Sequence, residues 1–285
     1  MLNIGLIGDI HLLEPIIIEA LEHPEVHITG KSSVGLHQAS ESIHIPTPEF
    51  NRIELIERAD ALIMNRFSLI PFQQLCSMVK KSKHIFTTTY PEFSLDECTH
   101  LIKLAHEAKT TVQITNPFYY LPALQWLNQN LKKPSYLSVT YSNQEIQDTH
   151  MLVPFLLMLK DMSGSKLKKF GAVSFRSEPA GSTFNHVQVE FSNGLMVEFN
   201  FGKRSQVNEF KISAYAHNQF AFFDILKGTA FSNHAPLDLS SSVEKNETDS
   251  FIRAILQKKS CSTHLENFAF ALQTAKAIQS KLEQF

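Results

Sequence analysis

The sequence predicts an α/β protein in two parts, a doubly wound parallel sheet followed by an α+β part built on a mostly antiparallel sheet. Three observations predict it. Short apolar runs alternate with helical stretches over the first 120 or so residues, the rhythm that builds a parallel sheet covered by helices. From about Ser135 the chain changes to alternating strands joined by tight turns. The length of 285 residues, 43% of them hydrophobic, exceeds one ordinary domain and supplies cores for two. The expected division is 1–120 and 121–285, with the last helix packing back toward the first part.

The expected strands of the first part are Asn3–Ile7, Val26–Gly30, Ala61–Asn65, His84–Thr88 and Val112–Thr115. Periodic stretches between them read as helices: Ile16–Leu21, introduced by Pro15, then Pro71–Val79 and Leu95–Ala108. The last opens with Ser94-Leu95-Asp96-Glu97, a serine cap with a glutamate three residues on. In the second part, "HVQVEFSNGLMVEFNF" is two alternating runs around Asn193-Gly194, the strongest short-range hairpin signal. "FKISAYAHNQFAFFDI" repeats the form, with a turn near His217-Asn218-Gln219. Near the C-terminus Leu265, Phe268, Leu272, Ala275 and Leu282 recur at helical spacing.

Composition removes several function classes. The net charge is −2 with scattered lysines and arginines, which leaves no electrostatic footprint for nucleic acid or an anionic membrane. No apolar run reaches membrane-spanning length, and the first residues read as a strand rather than a signal peptide, so a cytoplasmic protein is expected. Cys76, Cys98 and Cys261 lie far apart without a C-x-x-C pair and read as reduced packing residues. Thirteen histidines contain no H-E-x-x-H, and His100 and His106 are not one helical turn apart, so no metal site is expected.

Several stretches in order carry a family resemblance: "MLNIGLIGDIHLLEP", "ADALIMNRFS", "KHIFTTTYPEFSLDECTHLIKLAHEAKTTVQIT", "NPFYYLPALQWL", the Asn193-Gly194 hairpin and "FALQTAKAIQS". Together the chain resembles the Gfo/Idh/MocA oxidoreductases, the family of glucose-fructose oxidoreductase and inositol dehydrogenase. The resemblance implies a Rossmann-type dinucleotide-binding domain, a substrate and dimerisation domain, and a ligand cleft between them.

It also shows departures from the family pattern. Two further glycines should follow the one that Gly8 matches, to let a pyrophosphate approach the backbone at a helix N-terminus. Ile10 and Leu13 stand there instead, and Ile10 is expected to occupy the diphosphate's volume. The end of the second strand carries Lys31, Ser32 and Ser33 where an acidic residue would bind ribose hydroxyls. That set suits a 2′-phosphate, so NADP is favoured over NAD if either binds. Arg66 follows the strand whose loop packs near the nicotinamide ribose.

The catalytic lysine position of the family falls on Thr89 or Tyr90, and of these Tyr90 could give a proton only if its pKa moved far from 10. In the family's Asp-x-x-x-His pair, His150 matches the histidine while Ile146 stands in the aspartate's place. Tyr90 and His150 are therefore the candidate acid/base residues, and Asn116 and Tyr119 are expected to line the cleft with them. Losing the phosphate turn, the lysine and the aspartate removes what hydride transfer requires. Three readings stay open. The chain is a degenerate member that binds a small ligand in the cleft without dehydrogenation and with no cofactor. It is an active NADP-dependent oxidoreductase on a sugar- or polyol-like substrate. Or it is a structural subunit partnering an active homologue. A homodimer through the C-terminal sheet is expected, because outer positions include Met196, Tyr215, Phe220 and Phe222.

Overall fold

A computed structural model describes residues 1–285 apart from 34–46, 144–151, 178–181, 204–207, 240–245, 260, 262 and 283–285. The chain divides into two compact units, Met1–Thr115 with Lys245–Ala269, and Asn116–Glu244 with Phe270–Phe285. The chain leaves its first unit after Thr115 and returns to it over Lys245–Ala269. The reason is Phe251 and Ile252, both fully buried in the first unit's core.

The first unit holds a parallel sheet in the order β2-β1-β3-β4-β5, built from β1 (Leu2–Gly8), β2 (Val26–Ser33), β3 (Ala61–Met64), β4 (His84–Thr87) and β5 (Val112–Ile114). β1 and β3 are buried along nearly their whole length, as strands covered on both faces must be, and their composition is correspondingly apolar. On one face Leu2, Ile4 and Leu6 pack with Leu13, Ile17 and Ala20 of α1 (Ile10–Leu21) and with Phe251 and Ile252 of α7 (Glu247–Leu256). On the other, Leu55 of α2 (Arg52–Arg58) lies against Gly5. Helices α3 (Phe72–Lys80) and α4 (Leu95–Ala108) complete the unit. In α4 the Ser94 hydroxyl accepts the Glu97 N–H at 3.2 Å, and the Glu97 carboxylate accepts the Ser94 N–H at 2.9 Å.

One helix start differs from expectation. Pro15 does not introduce α1 but lies inside it, and the cap is Asp9, whose Oδ1 accepts the His11 N–H at 3.1 Å. Proline favours a first-turn position, which made residue 15 the natural start, but an aspartate at the cap satisfies orphan amides directly. α2 was not foreseen: it is short and capped by Asn51, which accepts the Glu54 N–H at 3.0 Å.

The second unit is an eight-stranded sheet in the order β13-β12-β11-β10-β6-β9-β8-β7. Its strands are β6 (Tyr136–Asn143), β7 (Leu167–Ser177), β8 (Ser182–Phe191), β9 (Met196–Lys203), β10 (Glu209–Ala216), β11 (Gln219–Asp224), β12 (Thr229–Ser232) and β13 (Ala235–Pro236). Every pairing is antiparallel except β6 with β9, which run parallel with Val139 opposite Phe199. Gly194 takes φ +89° in the β8–β9 turn, a conformation that glycine adopts without strain, and Asn193 Oδ1 accepts the Leu195 N–H at 3.1 Å.

Alternate residues of the strands are buried, among them Val187, Val189, Val197, Phe199, Ile212 and Phe223. Helix α6 (Leu152–Ser163) buries Phe155 to Leu159 without interruption, the pattern of a helix enclosed on all sides. Phe155 stacks on Phe118 at 5.0 Å and meets Phe199 at 5.1 Å. Helix α5 (Pro122–Asn130) opens the unit, and α8 (Leu265–Leu282) closes the described chain. Near the end of α8, Lys281 lies 4.5 Å from the Phe170 ring, and Phe170 shares the inner side of the sheet with Val189. On the outer side Phe175 is 57% and Tyr215 44% exposed, and Tyr215 touches Phe220 at 4.7 Å.

Candidate functional site

Doubly wound sheets place ligands beyond the carboxyl ends of their strands, so the residues gathered there in the first unit define the candidate site. β1 ends at Gly8, whose φ of +126° lies where L side chains are strained. The space beside it is taken: a Cβ on Gly8 would stand 2.0 Å from Asn65 Oδ1. Asn65 is buried, and its Nδ2 donates to the Asp9 carbonyl at 3.0 Å. That bond ties the residue after β3 to the β1–α1 turn. The N-terminus of α1 is the natural seat for an anion, but the Asp9 carboxylate already sits there.

Ile10 and Leu13 do not obstruct this turn. Leu13 is fully buried in the core under α1, and Ile10 packs against the same cluster. The side chain that packs against Gly8 is instead Asn65, a residue 57 positions away. No local pattern could have shown it.

At the end of β2 the segment 48–50 runs alongside: Lys31 N–H donates to the Pro48 carbonyl at 2.9 Å, and Phe50 N–H donates to the Lys31 carbonyl at 2.8 Å. This brings in Glu49, whose carboxylate accepts the Ser33 N–H at 2.6 Å and the Ser33 hydroxyl at 2.9 Å. The strand end that lacked an acid in sequence thus has one in space. Ser32 is buried. Arg66 is exposed in the loop before a 3₁₀ turn, Phe67–Leu69.

The end of β4 is internally bonded. Thr89 Oγ1 donates to the Asn65 carbonyl at 2.6 Å, and Thr87 Oγ1 donates to the Thr89 carbonyl at 3.0 Å. Next to it the Tyr90 ring stacks on Phe268 with centroids 6.2 Å apart and planes 5° from parallel. Its hydroxyl is buried with no hydrogen-bond partner among the described residues. Burial, and secondarily the Glu247 charge, push the phenol well above its ordinary pKa. Tyr90 therefore stays protonated and can donate a hydrogen bond, but it is a poorer proton source than an ordinary tyrosine. Thr115 Oγ1, beyond β5, donates to Glu247 Oε1 at 3.1 Å.

The structure thus joins Asp9, Asn65 and Thr89 by hydrogen bonds beside Gly8, and Thr115 to Glu247, whose charge is felt by Tyr90. Asn116 and Tyr119 open the second unit in one turn, the Tyr119 N–H bonding the Asn116 carbonyl at 3.0 Å. The Tyr119 carbonyl accepts the Gln125 side chain at 2.7 Å. His150 lies outside the described residues.

No protein-family model matches the chain, and no curated protein does. Solved structures do match along its full length. UDP-N-acetylglucosamine 3-dehydrogenase from Acidithiobacillus ferrooxidans aligns with 100% of this chain and 98% of its own, at a TM-score of 0.79 and 16% identity. A dehydrogenase from Chromobacterium violaceum aligns over 99% and 96%, at 0.78 and 12%. Biliverdin reductase from Synechocystis, solved with biliverdin and NADP⁺, aligns over 99% of both chains at 0.69 and 14%. The fold is that of these dehydrogenases.

Within the dehydrogenase fold, the parallel unit is the one whose first turn would carry a dinucleotide's pyrophosphate. At that turn Asn65 packs against Gly8, and the Asp9 carboxylate caps the helix N-terminus.

Proposed function

We propose that the chain is a divergent Gfo/Idh/MocA-type protein that keeps the oxidoreductase fold without dinucleotide-dependent dehydrogenation, and binds a small polar ligand beside Tyr90. The observation that carries the reading is Asn65 clamped over Gly8. A diphosphate approaching this turn would displace a buried, hydrogen-bonded amide and meet the Asp9 carboxylate at short range. The Tyr90 hydroxyl supports a ligand: a buried donor without a partner is costly unless an acceptor arrives. An uncharged or cationic ligand bearing a hydroxyl or carbonyl acceptor suits a buried phenol donor that feels the Glu247 charge.

A 2′-phosphate finds less here than the sequence promised, because Ser33 is engaged by Glu49. The alternative of an active enzyme has Tyr90 as its remaining candidate acid among the described residues, and the raised pKa works against that role. We further propose that two copies associate through the outer face of the eight-stranded sheet, where Phe175 and Tyr215 are exposed.

Titration of the full chain with NADPH and with NADH, followed by the fluorescence of Trp126, tests the main reading. We expect no saturation up to roughly 1 mM, the affinity range of a site with no net binding free energy beyond about −4 kcal/mol. Micromolar binding of either nucleotide would overturn it.

A further inference from the structure

A cavity of about 680 Å³ opens in the first unit at the amino ends of β4 and β5, the opposite end of the sheet from the candidate site. His84 and Val112, the first residues of those strands, lie in its wall. Its volume is that of a small-molecule site, and its lining divides into apolar and cationic parts. Ile102, Ala105, Val112, Ala254, Ile255 and Leu265 supply the apolar wall. Lys109, Lys258 and Lys259, all exposed, are lysines of its lining, against one carboxylate residue, Glu266, which is paired with His106.

The lysines are placed by a repeated device. Each of α4 and α7 is followed by a lysine in the left-handed conformation, Lys109 directly after α4 and Lys258 just past the Gln257 cap of α7, each at φ +53°. In each case the next N–H bonds the carbonyl five residues back, Thr110 to Ala105 and Lys259 to Ala254, both at 3.0 Å. Glycine is the usual residue at that position. One cation at each helix end answers the macrodipole, but a third, Lys259, exceeds what two helix ends call for. The two C-termini, each near −0.5, and the N-terminus of α8, near +0.5, take back only about half a charge. The cavity stays positive.

Two polar atoms of its lining residues lack a hydrogen-bond partner among the described residues, Thr110 Oγ1 and His264 Nδ1. His84 is already used: its Nδ1 accepts the Thr111 N–H at 3.0 Å. No arginine lines the cavity, so an anion there meets lysine point charges and hydroxyl donors, and a phosphate monoester, with a charge of about −1.5 to −2 against a carboxylate's single charge, gains more from three lysines.

We propose that this cavity binds a small organic phosphate, its phosphoryl group held by Lys109, Lys258 and Lys259 and its organic body against the Ile102–Ile255 wall. The site is independent of the one beside Tyr90.

Amide chemical-shift titration of the full chain with phenyl phosphate tests it. Saturable shifts are expected at Thr110, Thr111 and Leu265. Phenol, which has the same ring without the phosphate, should bind at least about tenfold more weakly. Lys258→Gln with Lys259→Gln should weaken phenyl phosphate about tenfold, the scale for removing two partly exposed charges. Lys103→Gln, which removes a charge from α4 outside the cavity, should leave it within about twofold. Lys109→Gly guards against misfolding: glycine suits the left-handed turn and should keep or raise the Tm, while affinity still falls several-fold. Absence of shifts at those three amides, equal binding of benzoate, or unchanged affinity in the double variant would each overturn the proposal.

Discussion

Replacing Gly8 by alanine isolates the contact on which the functional reading rests. The new Cβ would sit 2.0 Å from Asn65 Oδ1 and 2.8 Å from its Cγ, inside any van der Waals limit, so the amide must leave its place. Its bond to the Asp9 carbonyl is then lost, and a buried amide without a partner costs about 1–3 kcal/mol. Holding alanine at φ +126° adds about 1–3 kcal/mol of backbone strain. Gly8→Ala should therefore destabilise the first unit by about 4 kcal/mol, a large part of the 5–15 kcal/mol typical of a folded domain.

Asn65→Ala removes the colliding atoms and should cost about 2 kcal/mol alone. In the double variant the clash is gone, so the combined loss should fall short of additivity by about 1–2 kcal/mol. Cys76, Cys98 and Cys261 carry buried thiols, all within the first unit, so urea-dependent thiol labelling reports the opening of that unit specifically. Strict additivity, or a Gly8→Ala cost below about 1 kcal/mol, would refute the claim that Asn65 occupies this space.

Three further outcomes are expected. Tyr90→Phe removes a buried hydroxyl without a partner and should be neutral or stabilising by up to about 1 kcal/mol at pH 7. Because burial raises the folded-state pKa of Tyr90, its contribution is complete below about pH 10 and lost as pH rises beyond it; the variant's stability should therefore fall less steeply in alkali, measured by urea unfolding. Ser94→Ala should cost the first unit about 1 kcal/mol by opening the capping box of α4, read by the same thiol labelling. Sedimentation at micromolar concentration should show a dimer that Tyr215→Asp converts to a 32.3 kDa monomer; a monomeric parent chain would reject the outer-face association.

What could be read in the sequence was what neighbouring residues decide. The five strands of the first unit were found within a few residues because each is a short apolar run between polar segments, and the Ser94–Glu97 box fixed the start of α4. The two hairpin turns followed from Asn193-Gly194 and His217-Asn218. Pro15 misled because proline signals a first helical position more often than a sixth, and the cap lies six residues before it at Asp9. The site was less legible because its decisive residues meet across the sheet. Asn65 reaches Asp9 over 56 positions and Glu49 reaches Ser33 over 16, and no periodicity or motif records either meeting. The same holds for the cationic cavity, where two helix ends and the start of a third share one wall.

The parallel neighbours β6 and β9 carry a consequence for assembly of the second unit. β7, β8 and β9 form a meander that chain-local turns can close, as do β10, β11 and β12. β6 sits between these two groups, pairing Tyr136 with Met196 on one side and Ser138 with Ser213 on the other, 60 and 75 residues away. It therefore acts as a keystone: neither meander touches the other until the strand synthesised before both has been inserted between them. Such long-range pairing pays its loop-closure entropy before it gains contacts, so insertion of β6 is expected to be slower than closure of either meander. Until that step the edges of β9 and β10 stay open to pairing with other chains, so a newly made molecule is most prone to aggregate in this interval.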